Sequence, residues 1–198
     1  MGVPIRRAGA DDRDAVVGLL HRAFSADAVS RWVFPDPDRM ERDHGILMGA
    51  FFDMALEAGY VDLAEDGSAV ALWQSLPAGG HGPEDEDGPA AFRESIDPAN
   101  GRIEQIARLT GAAHPTERAH EYLSMIAVDP ALHGKGLGSE LLGNALARCD
   151  REGLHAYLEA TSSRSRALYE RFGFTFMGQA IQLPDGPVML PMWREPAQ

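Results

Sequence analysis

Residues 123–142 read LSMIAVDPALHGKGLGSELL: an apolar run, an Asp-Pro step, glycines at 134, 136 and 138, then a leucine-rich segment. The apolar run predicts a strand from about Glu121 to Val128, and the leucine spacing predicts a helix from about Gly136 to Arg151. A helix start leaves its first N–H groups without intrahelical partners, and the helix dipole favours negative charge there. Gly134, Gly136 and Gly138 let a phosphate approach that backbone, and His133 and Lys135 add donors. Two common nucleotide motifs are excluded by spacing. There is no Gly-x-x-x-x-Gly-Lys followed by Ser or Thr, and a Gly-x-Gly-x-x-Gly pattern begun at Gly134 meets Ser139, or begun at Gly136 meets Leu141. A glycine-rich turn with no ligand has the same local sequence, so the surroundings decide between them.

Upstream, VPIRRA (3–8) reads as a short strand and DDRDAVVGLLHRAF (11–24) as a helix. Ala15, Leu19, Leu20 and Phe24 fall at helical spacing, with Asp11 or Asp12 as the N-cap. Two prolines break the pattern in SADAVSRWVFPDPDRM (25–40), and a second amphipathic helix is predicted from about Arg39 to Leu56. Asp66-Gly67, between two alternating segments, predicts a tight hairpin. Residues 90–115 are helical in character with an interruption at Asp97-Pro98. Downstream come a strand at HAYLEAT (155–161), a short helix at SRALYERF (165–172), a strand beginning at GFTFMG (173–178) and a turn into a last strand at LPDGPVMLPMW (183–193). This order describes a mixed α/β sheet with helices packed on it. No repeat or linker interrupts the 198 residues, so a single domain over 1–198 is expected.

Hydrophobic residues make up 44% of the chain, which fits a soluble globular protein. The formal net charge of −12 argues against nucleic acid or an anionic membrane as partner and leaves cationic small molecules. GPEDEDGP (82–89) reads as a solvated loop. No apolar run approaches the ~20 residues of a membrane span, and the first residues lack the apolar core of a signal peptide, so a cytoplasmic location is expected. Cys149 sits at helical spacing behind Leu142 and Ala145 and reads as inert core. The histidines form no His-x-His or His-x-x-x-His pair and have no Cys partner, so no metal site is expected.

IAVDPALHGKGLGSELL (126–142) resembles the acetyl-coenzyme A motif of the GCN5-related N-acetyltransferases, whose core is Arg/Gln-x-x-Gly-x-Gly/Ala behind a strand. SSRSRALYERFGF (162–174) is similar to that family's second motif, a helix with a tyrosine just before an aromatic-Gly-Phe turn. DPDRMER, DGSAVALW and AVDP look similar to the puromycin N-acetyltransferase-like enzymes of actinobacteria. The resemblance implies a mixed, largely antiparallel sheet with helices on both faces and a splay between the fourth and fifth strands. It implies acetyl-coenzyme A as cofactor, pantetheine along the backbone of Ile126, Ala127 and Val128, and the pyrophosphate on the amides of His133, Gly134, Lys135, Gly136, Leu137, Gly138 and Ser139. This chain departs from the pattern at His133, where Gln or Arg is usual, and at Ser162 or Ser165, one of which stands for the family's asparagine.

Acetyl transfer to an amine needs a neutral amine, a polarised thioester carbonyl and a proton for the departing thiolate. A backbone N–H near Val128 can polarise the carbonyl. Tyr169, protonated at neutral pH, is the candidate acid. Glu159 lies in a short apolar strand where an unpaired carboxylate is costly, which makes it the candidate base or water-holder. His120 and Tyr122 share one strand face and Glu121 the other, and all three are candidate acceptor contacts. Trp32 and Phe34, read as part of a proline-bounded loop, are candidates for an apolar acceptor wall. The leading expectation is an N-acetyltransferase acting on a small amine such as an antibiotic or metabolite, as a monomer or homodimer. A non-catalytic acyl-coenzyme A sensor and a protein or peptide N-acetyltransferase are the alternatives.

Overall fold

Short polar residues set where several of the helices start. The computed structural model describes residues 3–79 and 87–197. In it β1 (Ile5–Arg7) leads through a 3-10 turn (Ala10–Asp12) into α1 (Arg13–Phe24). Asp27 caps α2 (Ala28–Val33), its carboxylate accepting from Val29 N–H at 2.8 Å and Ser30 N–H at 3.4 Å. Asp36 caps α3 (Pro37–Ala58) in the same way, with Pro37 in the first turn. The α2 helix corrects the expectation of a broken stretch over 25–40, because the prolines fall after it and Asp27 supplies its start.

Asp66-Gly67 makes the predicted hairpin between β2 (Gly59–Ala64) and β3 (Ala69–Leu76), with Gly67 at φ +72°. Asp97-Pro98 separates α4 (Gly88–Ile96) from α5 (Gly101–Ala113), which Asn100 caps. Most of the acidic stretch 82–89 lies outside the described residues, and its last two, Gly88 and Pro89, already belong to α4. The chain continues through β4 (His120–Val128), a 3-10 turn (Pro130–Leu132), α6 (Leu137–Glu152), β5 (His155–Ala160) and α7 (Ser163–Arg171). It ends in β6 (Thr175–Phe176), β7 (Ile181–Gln182) and β8 (Val188–Arg194).

The strands lie in the order β1-β2-β3-β4-β5-β8-β6, with β7 paired to β8. Every pairing is antiparallel except β4–β5. That parallel pair joins only His120, Glu121 and Tyr122 to His155, Ala156 and Tyr157. Beyond it β4 follows β3 to Val128 while β5 follows β8 to Ala160, so the two strands part toward their C-terminal ends, as expected. One core joins α1–α5 to one face of the sheet, and a second joins α6 and α7 to the other. Cys149 is buried in the second core, and burial pushes its thiol up to about 11.

The register of β3 and β4 slips between Leu72 and Trp73, leaving Ser124 unmatched, with its hydroxyl donating to Leu72 O at 3.2 Å. This bulge inverts the alternation along β4. Tyr122 faces the α5 side, whereas Leu123 packs in the α6 core. Past the bulge Met125 and Ala127 face α1–α5, and Ile126 and Val128 face α6 and α7.

Candidate active site

Gly134 at φ +81° and Gly136 at φ +89° hold a left-handed backbone that side chains strain to adopt, and Gly136 is the N-cap of α6 with no side-chain cap. Among the described residues no acceptor meets the N–H groups of Gly134, Gly136, Leu137, Gly138 or Ser139. Converging donors at the positive end of a 16-residue helix make an anion cradle, with Lys135 exposed beside them. A Cβ on Gly138 would lie 3.7 Å from Val128 Cγ2 and 3.8 Å from Leu168 Cδ2, so the cradle abuts both the end of β4 and α7.

Asp129 N–H donates to Ser68 O at 2.8 Å, on the β3 side. Alternation therefore turns the main-chain groups of Ile126 and Val128 to the other edge, where β5 has moved away. His133 confirms the direction for Val128: its Nε2 donates to Val128 O at 3.1 Å. Apart from Val128 O, which His133 holds, the split thus offers a strand edge without a neighbouring strand, leading to the cradle and suited to an extended chain that carries amides.

On the opposite face, Tyr122 Oη donates to Glu159 Oε2 at 2.9 Å. Glu159 Oε1 and Tyr157 Oη are both buried without a partner. Tyr157 and Glu159 are two apart on β5 and share a face, and the phenol lies close enough to help hold the carboxylate charged while falling short of hydrogen-bond geometry. Burial dominates and raises Glu159 to about 7, against the opposing pull of Tyr157 and Tyr122. The same burial and the facing carboxylate push both phenols above their ordinary range, so they remain donors. Above this cluster, Arg22 reaches Asp129 just past β4 at 3.7 Å, and Thr161 Oγ1 just past β5 donates to Asp27 at 3.4 Å. Residues 22–27 therefore bridge the mouth of the split on this side.

A family profile described as an acetyltransferase (GNAT) domain matches residues 88–195. The chain belongs to the GNAT acetyltransferase family. A crystal structure of the histone acetyltransferase HPA2 and related acetyltransferase from Corynebacterium glutamicum is similar over 100% of this chain and 98% of its own, at 29% identity and TM-score 0.74. Arylalkylamine N-acetyltransferase 2 from Aedes aegypti is similar in fold over 98% of this chain and 99% of its own, at 17% identity and TM-score 0.71. An uncharacterized N-acetyltransferase of Schizosaccharomyces pombe is 37% identical over 78 residues, which are 38% of this chain and 31% of that protein. The matched part thus spans about a third of that curated relative's length.

In this GNAT fold the sequence-predicted residues separate into groups. Ile126, Val128, Gly134, Lys135, Gly136, Leu137, Gly138 and Ser139 line the split and the cradle; Ala127 turns its side chain to the α1–α5 core. Tyr169 is 6% exposed on α7, packs edge-on against Phe174, and burial raises its hydroxyl above the ordinary range. Ser165 bonds to Ser162 in the capping box that starts α7. Tyr122 and Glu159 come together, whereas Glu121 lies under α6, bound by Arg148 at 3.0 Å and by Ser75 at 2.8 Å. Trp32 and Phe34 are not in an open loop: Trp32 lies in the last turn of α2, donates to Pro184 O at 2.8 Å and is pressed against Gly186, and Phe34, the C-cap of α2, is buried edge-on to His44. Their wall is a packed one.

Pattern reading passed over Tyr157, His114 and Asp27. Tyr157 was within reach, since it stands one alternation step before Glu159; His114 follows α5, and nothing local ties it to β4. Among the described residues no group of three His, Cys, Asp or Glu side chains is arranged to hold a metal ion, and no helix is long and apolar enough to cross a membrane.

Proposed function

We propose that this GNAT enzyme acetylates the amine of a small molecule by direct attack in a ternary complex, with Glu159 taking the amine proton. The observation that carries the reading is the Glu159 carboxylate, hydrogen-bonded by Tyr122 and raised by burial to about 7. A base of that strength accepts a proton at neutral pH and releases it again. Acetyl-coenzyme A, when bound, supplies the acyl thioester. The N–H groups of Gly134 to Ser139 and the ammonium of Lys135 suit its diphosphate, and the edge of Ile126 and Val128 suits its pantetheine amides. Val128 N–H, turned into the split, can donate to an oxyanion. Tyr169 keeps its proton through the neutral range and can give it to a sulfur leaving group.

The bridge at 22–27 narrows the acceptor side, which suits a small amine better than a polypeptide laid across the sheet. The chain's net charge of −12 draws cationic amines. Similar folds named for arylalkylamine and agmatine acetylation point to amines of this size, and the DPDRMER and DGSAVALW stretches add drug-like amines such as aminonucleosides. The test is thiol release from acetyl-coenzyme A across arylalkylamines, polyamines, aminonucleosides, aminoglycosides and peptide amines, with coenzyme binding measured alongside by calorimetry. Turnover confined to small amines supports the reading. Tight coenzyme binding with no thiol release from any amine makes the protein a sensor and sinks it.

A further inference from the structure

β4 ends in a carbonyl that a side chain already holds. Val128 O points into the split, and His133 Nε2 lies 3.1 Å from it. A carbonyl only accepts, so this nitrogen carries the proton and donates. His133 is exposed, and among the described residues this is the one bond its ring makes. Acceptor and donor bracket the turn between the last residue of β4 and the residue just before Gly134. The ring therefore lies back across the junction where the strand edge gives way to the cradle.

The backbone there does not need the ring. Asp129 Oδ1 accepts from Ala131 N–H at 3.0 Å, and Leu132 N–H donates to Asp129 O at 2.8 Å, which together fix the 3-10 turn at Pro130–Leu132. Beyond the turn, Gly134 and Gly136 set the bend by their own positive φ. A side-chain bond that the fold does not require, placed on an acceptor of the split, competes with any donor the split receives. That donor is an amide N–H of an extended chain, because Ile126 and Val128 lie beyond the last residues paired with β5 and present strand main chain with no strand beside it.

We propose that His133 is a displaceable latch on the strand edge: it holds Val128 O in the ligand-free protein and gives it up to a pantetheine amide when an acyl carrier binds. The latch acts on one part of the carrier alone. A ligand that brings a diphosphate without an amide chain fills the cradle and leaves the imidazole in place. A ligand that brings both lies along the edge only after the imidazole has let go, and the ring returns when that ligand leaves. His133 thus lowers affinity for the coenzyme below what the main chain alone would give, which favours exchange of deacylated carrier for acylated carrier. The proposal rests on the reading of Ile126 and Val128 as the pantetheine edge.

Titration calorimetry with coenzyme A and with ADP tests it, since neither ligand can be turned over. His133→Ala binds coenzyme A about 3- to 10-fold more tightly than wild type, as removal of one competing hydrogen bond does, while ADP binds the two proteins within about 2-fold of each other. The ADP arm separates the latch from a general change in the cradle, which would move both ligands together. In a crystal structure of the coenzyme A complex, the imidazole has left Val128 O and an amide nitrogen of the carrier stands within hydrogen-bond reach of that oxygen. Coenzyme A affinity that is unchanged or weaker in His133→Ala overturns the proposal. An equal gain for ADP does so too, as does a complex in which His133 still donates to Val128 O. If neither protein binds coenzyme A at millimolar concentration, the coenzyme reading itself fails and takes the latch with it, an outcome set apart by the absence of heat with wild type.

Discussion

On the α6 side of the β4–β5 split the polar groups are main-chain N–H and C=O from one continuous stretch, residues 126–139, shaped by glycines at positive φ. On the opposite side they are side chains from four places: Tyr122 on β4, Tyr157 and Glu159 on β5, His114 after α5, and Asp27 before α2. A main-chain site survives most side-chain changes so long as its backbone angles are kept. A side-chain site changes its chemistry with any one substitution. On the proposed reading the donor side is therefore generic, and what is particular to this protein is concentrated on the acceptor side.

The largest expected effect breaks the acceptor side. Glu159→Gln lowers kcat/KM by about 10² to 10⁴, the range for loss of a general base. It also removes the rise in rate that wild type shows as pH passes about 7, where the base becomes deprotonated. Stability moves the other way. A carboxylate with its folded value raised to about 7 from an ordinary 4.5 binds more protons folded than unfolded, so wild type loses stability as pH climbs through that window. Glu159→Gln lacks this loss, and its thermal melt at pH 8 gains on the order of 1 to 3 kcal/mol over wild type while at pH 4 the two converge. Equal melts at both pH values break the assignment of a strained carboxylate.

Tyr169→Phe comes next, with kcat down about 10²-fold and an unchanged melting temperature, because the ring still packs on Phe174. Retained kcat across the pH range assigns Tyr169 to packing alone. On the donor side, Gly136→Ala forces a side chain into a left-handed conformation and costs about 1 to 2 kcal/mol of stability, with coenzyme KM raised several-fold. Gly138→Ala is its control: the added methyl meets only ordinary contacts at 3.7 and 3.8 Å, so the fold holds, and any lost coenzyme affinity reports closeness of approach. The smallest effect is Ser165→Ala, which loosens the α7 cap by about 0.5 to 1 kcal/mol and leaves coenzyme KM unchanged. A raised KM there would return Ser165 to the coenzyme.

The same contrast explains what the sequence disclosed. The glycine bend, the hairpin at Asp66-Gly67, the break at Asp97-Pro98 and the strand-helix order downstream are local signals, and each has its counterpart in the structure. Glu159 was legible because a carboxylate in an apolar strand requires an explanation. The α2 helix was hidden because Trp32, Val33 and Phe34 precede prolines and mimic a loop, while the signal that mattered was Asp27. His114 was invisible because its meaning depends on a contact across the fold with Tyr122 and Tyr157. Glu121 could not be assigned to a side until its partner Arg148, a turn from the end of α6, was in place.

The unmatched Ser124 gives β4 two independent reading frames. The stretch before it delivers side chains to the tyrosine cluster, and the stretch after it delivers main chain to the split. Exchanges of residue type at 120 and 122 can retune the acceptor without disturbing 126 and 128, but gain or loss of a single residue at Ser124 would shift one half against the other. Acceptor preference can then be changed by point substitution, whereas the strand length at this place cannot change without moving the two halves apart.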